Sequence, residues 1–196
     1  MPDFSFEMDI GGRVAGVDEV GRGPLAGPVT AAAVVLDVAR IPVGLNDSKK
    51  LTARAREVLW AEIMICADVS VAHASVEEID SLNILRASHL AMERAVAGLR
   101  VAPDHLLIDG NMIPRGVTLP ATAVIKGDGR SQSIAAASIV AKICSDRIMV
   151  DLAQQHPSYG WHTNMGYGSK SHMAALQNLG VTPHHRRTFK PVHNML

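Results

Sequence analysis

Cysteine is scarce in this chain, and so are aromatic side chains, net charge and long apolar runs. Only Cys66 and Cys144 occur in 196 residues, and they form no CxxC pair. A disulfide scaffold and a cysteine-rich zinc site are therefore not expected. The longest apolar stretch, Thr30 to Leu36, falls far short of the ~20 residues a membrane-spanning helix needs. The opening MPDFSFEMDIGG is acidic and lacks an apolar run. Neither a signal peptide nor a transit peptide is expected, and the cytoplasm is the expected location. Formal charge is zero, which argues against a purely electrostatic, histone-like binder of nucleic acid. The charge is nevertheless unevenly spread. Residues 1–100 hold 14 acids and 10 bases, a balance of −4; residues 101–196 hold 5 acids and 9 bases, a balance of +4. A local basic groove is compatible with those numbers.

Hydrophobic residues make up 47% of the chain and charged residues 19%. That is ordinary for one packed domain. A chain of this length buries roughly 70% of its unfolded surface without metal or disulfide staples. Strands are expected at Arg13 to Val20, Val29 to Leu36, Asp68 to Ser75, His105 to Ile108 and Ala121 to Ile125. The signals are short apolar or alternating runs closed by turn residues. Helices are expected from Ala53 to Cys66, capped by Ser48 or Thr52, and from Glu77 to Leu99 with a break near Asp80–Asn83. Further helices are expected from Ser131 to Val150 and near Lys170–Leu179. Small residues in SIAAASIVAK let the long helix lie close against a sheet. The order of elements predicts a mixed sheet flanked by helices.

Carboxylates sit where ligand sites gather in such sheets, at strand ends. Asp18-Glu19 closes the first strand, Asp109 the fourth, and Asp128 follows the fifth. Converging carboxylates raise one another's pKa unless a cation compensates. Hard oxygen donors without thiolates suit Mg²⁺ or Mn²⁺ rather than Zn²⁺. Each Asp-Gly pair taken alone is also an ordinary turn. Neighbours on a strand point to opposite faces. Asp18 and Glu19 can therefore share one site only if the strand has ended, or if Glu19 reaches around or offers its main-chain carbonyl. The GRGPLA segment (21–26) matches a dinucleotide-binding loop in outline, and Asp37 lies at a tempting distance. A strand rather than a helix follows it, and two acids precede it. A tight backbone loop beside the carboxylates fits better, with Arg22 as a planar phosphate donor. The histidines of the tail, His156, His162, His172, His184 and His185, lack zinc spacing. Capping, loop packing or phosphate contact is expected of them. Trp60 and Trp161 are expected to pack.

Seven segments carry a resemblance: GVDEVGRGPLAGPV (16–29), LNDSKKL (45–51), LIDG (107–110), KGD (126–128), SIAAASIVAKICSDR (133–147), GYGSKSH (166–172) and HHRRTF (184–189). Together, in order over about residues 13–192, they resemble bacterial ribonuclease HII, a type 2 ribonuclease H. The resemblance implies an α/β, ribonuclease H-like fold: a central five-stranded mixed sheet flanked by helices, with a small helical C-terminal region. One catalytic domain over 1–196 is expected, with a core of about 13–150 and a 151–196 region that contributes to substrate binding. The implied activity is endonucleolytic hydrolysis of RNA in RNA–DNA hybrids and cutting 5′ of a single ribonucleotide embedded in duplex DNA. It leaves 3′-hydroxyl and 5′-phosphate ends.

The family's four acids fall on Asp18, Glu19, Asp109 and Asp128, as catalytic groups and as ligands of Mn²⁺ or Mg²⁺. Its ribonucleotide-reading loop falls on Gly21, Arg22 and Gly23, and its sugar-stacking tyrosine on Tyr167. Lys49, Lys50, Lys142 and Arg186 are candidate phosphate contacts, each also readable as a solvated surface charge. The family often carries lysine before GYG, where this chain has Met165. Asp146 is expected outside the metal set, as a supporting residue or an ion-pair partner of Lys142 or Arg147. The sister ribonuclease HIII carries an added N-terminal domain, and Asp18 lies too near the start for one. A nucleotide-cofactor module or a non-cleaving nucleic-acid binder is the alternative. No membrane and no protein partner are expected, and the expected state is a monomer.

Overall fold

The computed structural model describes residues 1–196. Its centre is a five-stranded sheet of β1 (Val14–Val20), β2 (Val29–Val35), β3 (Asp68–Ala74), β4 (His105–Asp109) and β5 (Ala121–Val124). The strand order is β3-β2-β1-β4-β5. β2 runs antiparallel to both β1 and β3, whereas β1, β4 and β5 are mutually parallel. The expected mixed sheet is thus present, with each strand boundary within a residue of its predicted place. The three parallel strands end at one edge, and this edge gathers the acids.

Eight helices surround the sheet: α1 (Ser5–Ile10), α2 (Ala53–Cys66), α3 (Val76–Leu82), α4 (Ile84–Ala97), α5 (Gln132–Gln155), α6 (Trp161–Asn164), α7 (Lys170–Leu179) and α8 (Lys190–His193). Local chemistry sets their ends. Thr52 caps α2 by accepting from the Ala55 N–H. Ser75 and Glu78 close a capping box on α3, which satisfies two otherwise orphaned donors. Asn83, in the left-handed region at φ 69°, ends α3, and its Oδ1 accepts from the N–H groups of Leu85 and Arg86 to start α4. That residue is the break expected near Asp80–Asn83.

Strand alternation sorts the core into two faces. Ala15, Val17, Ala31, Ala33, Leu106 and Ile108 pack against α4. Ala32, Val34 and the small residues of α5 pack with Leu59 and Ile63 of α2. Trp60 joins this second cluster from its rim, whereas Val58 is exposed. A third cluster joins Leu25 and Ala26 to Met149, Ala153, Tyr159, Trp161 and Leu176. Through it the 151–196 region closes over the segment after β1. The expected division at 150/151 falls inside α5, because Met149, Leu152 and Ala153 carry its apolar stripe into this cluster. Cys66 and Cys144 are free thiols. No helix is long and apolar enough to cross a membrane.

The tightest joint is between α5 and β1. A Cβ on Gly16 would overlap the backbone of Ser133 and Ile134. No flexible side chain is there to yield, so β1 and the start of α5 approach as backbones. Gly16→Ala should lower stability by about 2–3 kcal/mol, the upper range for overpacking. Urea unfolding monitored by far-ultraviolet circular dichroism checks this, and an unchanged midpoint would contradict the contact.

Candidate active site

The register of β1 on β4 pairs Val17 with Ile108, so the next step sets Asp18 beside Asp109. β4 pairs Asp109 with Val124 at the end of β5. The chain then turns through Ile125 and Lys126 into a 3-10 turn, Gly127–Gly129, that carries Asp128. Asp18, Asp109 and Asp128 are therefore delivered by three neighbouring strand ends. Asp18 is 6% exposed and lies on the α5 face, with Gly16. Its Oδ1 accepts from the Glu19 N–H at 2.7 Å, and the Ser138 hydroxyl of α5 is close enough to oppose the rise in its pKa. Asp109 Oδ1 accepts from the Gly127 N–H at 2.6 Å, which ties the ends of β4 and β5 together.

β1 continues to Val20, so the strand has not ended at Glu19. The Glu19 side chain leaves from the opposite face, where Arg22 Nη1 lies 3.3 Å from Oε1. Two of the three routes to a shared site remain, a side chain that reaches around or a main-chain carbonyl.

The electrostatics show that these groups feel one another. Burial drives Asp18 well above the ordinary carboxylate pKa, and the charges of Glu19 and Asp109 push it further. Burial also raises Glu19, opposed by Arg22 and reinforced by Asp109. Asp128 is raised by burial, by Asp109 and by Asp47. Asp47 is a fifth carboxylate at this edge. In the sequence it looks like a turn residue, and it does cap the 3-10 turn Ser48–Lys50 by accepting from the Lys49 N–H. No periodicity or spacing marks it as part of the cluster. Ser138 is equally silent in the sequence. It bonds Ser48 at 2.9 Å and so links α5 to that turn.

The donor set fits a hard divalent cation: several carboxylate oxygens, no thiolate, and a charge excess that a cation relieves without protonating the ligands. The side chains do not already form a closed cluster of three ligands. Asp18 and Asp109 each spend one oxygen on a backbone N–H, and Glu19 is turned toward Arg22. Binding an ion would replace these contacts.

The segment after β1 shows the second half of the site. Arg186, expected at a phosphate, is fully buried, and this corrects the expectation. Its Nε donates to the Gly27 carbonyl, Nη1 to Arg22, and Nη2 to Gly21 and Pro28, at 2.6–3.1 Å. Its donors are consumed by main chain, and no phosphate can reach it. Burial lowers its pKa to about 10, which leaves it charged at neutral pH. With the Gly21 and Arg22 carbonyls drawn inward, the N–H groups of Gly21, Arg22 and Gly23 donate to nothing within the chain. Tyr167 is 49% exposed and lies against this loop: a Cβ on Gly23 would sit 3.1 Å from its ring.

Two buried histidines hold the tyrosine's segment. His172 Nδ1 lies 2.9 Å from the Tyr167 carbonyl, so that nitrogen carries the proton. His185 Nδ1 accepts from the Thr182 N–H, so its Nε2 donates to His172 Nε2 at 3.0 Å. Trp161 donates to the same nitrogen. Both rings are neutral; burial lowers His172, and burial with the His172 neighbour lowers His185 to about 4. Loop packing, one of the roles expected for the tail histidines, accounts for them.

The remaining candidates are scattered around the rim. Lys49 and Lys50 are exposed beside Asp128, with Lys50 3.8 Å from Asp47. Lys142 is half-buried and bonded to Asp146 at 2.7 Å, which assigns Asp146 as its ion-pair partner. Met165 is in the left-handed region at φ 48° and packs into the third cluster. A cavity of about 800 Å³ opens at the opposite end of the sheet around Arg13, Asp68 and Arg100. Asp68 already pairs with both arginines there.

The family model described as Ribonuclease HII matches residues 15–192. Ribonuclease HII of Roseobacter denitrificans is 72% identical over 184 residues, covering 94% of this chain and 93% of its own length. The crystal structure of ribonuclease H2 from Pyrococcus horikoshii OT3 superposes with a TM-score of 0.78 at 29% identity, covering 93% of this chain and 96% of that one. The crystal structure of Bst-RNase HIII with Mn²⁺ shares the fold at a TM-score of 0.77 and 19% identity, covering 93% of this chain and 68% of that one.

A carboxylate with a raised pKa stabilises the fold below its unfolded value, and that contribution is lost as pH rises through the folded value. Asp18 is therefore a liability to the metal-free fold at neutral pH. Asp18→Asn, which keeps an acceptor for the Glu19 N–H, should raise the thermal midpoint in EDTA at pH 8. The gain should shrink as pH falls toward the acid range, and the midpoint rise given by Mn²⁺ should be lost. A variant less stable than wild type in EDTA at pH 8 would contradict the repulsion.

Proposed function

The chain belongs to the ribonuclease HII family and is a metal-dependent endonuclease acting on RNA–DNA hybrids and removing ribonucleotides; from that premise we propose that it cuts on the 5′ side of a ribonucleotide embedded in duplex DNA, with Asp18, Glu19, Asp109 and Asp128 as the groups that hold the cation. The observation that carries this assignment is the convergence of Asp18, Asp109 and Asp128 from three parallel strand ends, with pKa values raised at Asp18 and Asp128 by burial and by neighbouring carboxylates. A divalent cation bound there supplies charge neutralisation and activation of water for an in-line displacement at phosphorus, and either Mn²⁺ or Mg²⁺ suits the oxygen donors.

The chain's own groups supply recognition. The 2′-hydroxyl both donates and accepts, and it separates RNA from DNA. Gly21, Arg22 and Gly23 present free N–H groups beside Tyr167, whose ring faces solvent on one side. The ring stacks on the sugar next to the ribose and fixes its depth; the loop reads the hydroxyl without side-chain bulk. Arg22, released from Glu19, is placed for a phosphate. Lys49 and Lys50 flank Asp128 and position the duplex by its backbone, which carries no sequence information. Lys142, whose charge is offset by Asp146, would contact a phosphate only by leaving that pair. The 151–196 region contributes Tyr167 directly and Arg186 indirectly, by shaping the loop.

A duplex with one ribonucleotide tests this. Cleavage at the 5′ side of that nucleotide is expected with Mn²⁺ or Mg²⁺ and none with EDTA; cleavage elsewhere or without metal would refute the reading. Asp109→Asn should abolish cleavage with circular dichroism unchanged. Tyr167→Ala should slow cleavage at the single ribonucleotide by about 100-fold, the scale of lost positioning, without lowering the thermal midpoint. The carboxylates must be ionised to hold a cation, and those of Asp18, Glu19 and Asp128 have raised pKa values. The rate should therefore fall with acid starting above the ordinary carboxylate range and stay high on the alkaline side. A maximum below neutral pH in the rate profile would overturn this.

A further inference from the structure

The first twelve residues lie before the stretch that the family model matches, yet they are docked against the Asp128 turn. Glu7 is 3% exposed, although it stands on a short terminal helix and is a carboxylate. Its Oε1 accepts from Ser131 Oγ at 2.6 Å and from the Ser133 N–H at 2.9 Å. These residues begin α5. Just before Glu7, Asp3 forms a bridge to Ser131. The Asp3 N–H donates to the Arg130 carbonyl at 3.2 Å, and the Gln132 N–H donates to the Asp3 carbonyl at 3.0 Å. The Arg130 guanidinium lies 5.0 Å from the centre of the Phe6 ring, and Phe6 packs on the cluster of Val14, Leu107, Val124 and Ile134.

The residues so gripped, 130–133, are continuous with the turn that carries Asp128. The N–H groups of Arg130 and Ser131 donate to the Gly127 carbonyl at 2.9 and 2.8 Å. The N–H of Gly127 itself clamps Asp109. Lys126, one residue earlier, is held at φ 55° in the left-handed region. A non-glycine residue there costs free energy and persists only where its surroundings over-determine it. The far side of the same α5 turn is the backbone contact with Gly16, two residues before Asp18.

We infer that the N-terminal segment is a brace for the metal site, with Glu7 as its positioning residue: by holding the start of α5 it sets the Asp128 turn and the Gly127 N–H that orients Asp109. The inference rests on the reading that Asp109 and Asp128 hold the cation. Glu7 touches neither ion nor substrate, and acts through Ser131 and Ser133. An acceptor at Oε1 is what the geometry requires, so glutamine should serve nearly as well as glutamate, whereas alanine should not.

Isothermal titration of the full-length protein with Mn²⁺, without substrate, tests this. Glu7→Ala should weaken Mn²⁺ binding roughly tenfold, the scale on which outer-shell partners act on metal affinity. Amide exchange should quicken in the peptide covering 126–131 but not in β2 or β3. Glu7→Gln should bind within about twofold of wild type. A Glu7→Ala protein with a lower thermal midpoint but wild-type Mn²⁺ affinity would make Glu7 merely structural and overturn the brace. A Glu7→Gln protein as weak as Glu7→Ala would overturn the acceptor argument. If Glu7→Ala does not fold, Phe6→Ala loosens the segment without touching the α5 cap; weakened Mn²⁺ binding with faster exchange over 126–131 then supports the brace, and wild-type affinity overturns it. Wild-type protein that binds no Mn²⁺ would overturn the site reading itself, a different failure from wild-type affinity in the variants.

Discussion

Like charges held together at the end of a sheet govern the rest of this molecule. β1, β4 and β5 are parallel, so their C-terminal ends meet, and each brings a carboxylate. Asp18 is nearly inaccessible, and its pKa is driven up by burial and by its neighbours. Left alone, such a cluster would relax by spreading or by taking up protons. Its surroundings prevent the first. The Gly127 N–H pins Asp109, the Glu19 N–H pins Asp18, and Gly16 brings β1 onto α5 at backbone distance. The cluster thus stores unfavourable energy that a divalent cation releases. This is the usual trade of stability for function at a preorganised site.

Arg186 is the opposite case of a buried charge. It is as inaccessible as Asp18, but its donors reach four main-chain carbonyls. Charge-assisted bonds to fixed acceptors are among the stronger interactions a protein makes. Here they orient the loop as well as stabilise it, because a peptide whose carbonyl is held inward presents its N–H outward. The neutral His172–His185 pair does similar work for the tyrosine's segment. Each tautomer is dictated by a backbone partner, the Tyr167 carbonyl in one case and the Thr182 N–H in the other. The two systems meet at consecutive residues, His185 and Arg186. The gap between the glycine loop and Tyr167 is therefore set from one short segment of the tail.

Much of the fold was legible because it is written in local signals. Alternation and turn residues place the five strands, and caps such as Thr52 place the helix starts. The order of elements makes the sheet mixed. The acids were legible as strand-end residues, and strand ends are where open sheets place their ligands. Other features depend on what only three dimensions supply. Arg186 looks like any basic tail residue until the carbonyls of a loop over 150 residues earlier are folded around it. Asp47 looks like a turn aspartate, and it is one, but its turn lies beside Asp128. Glu7 sits in a short polar segment with no periodic signal, and its role is set entirely by its contact with the start of α5. Tertiary partners decide these roles, and composition or spacing in one chain does not encode them.

The charge distribution then acquires a physical meaning. Neutral overall, the chain has an acid-rich first half and a base-rich second half. In the fold, Asp18 and Asp47 from the first half meet Asp109 and Asp128 from the second at one edge. Exposed Lys49, Lys50, Lys126 and Arg130 surround Asp128 in sequence and space. A polyanion approaching that edge meets basic side chains first and the carboxylates last. Cation binding turns the centre from repulsive to attractive for phosphate. The short range of screened charge, about 8–10 Å at physiological salt, confines this reversal to the edge. A protein of zero net charge can thereby hold a polyanion at one place while the rest of its surface stays indifferent to it. The bare carboxylate edge repels phosphate until the cation is present, which makes metal binding a condition for productive docking as well as for chemistry.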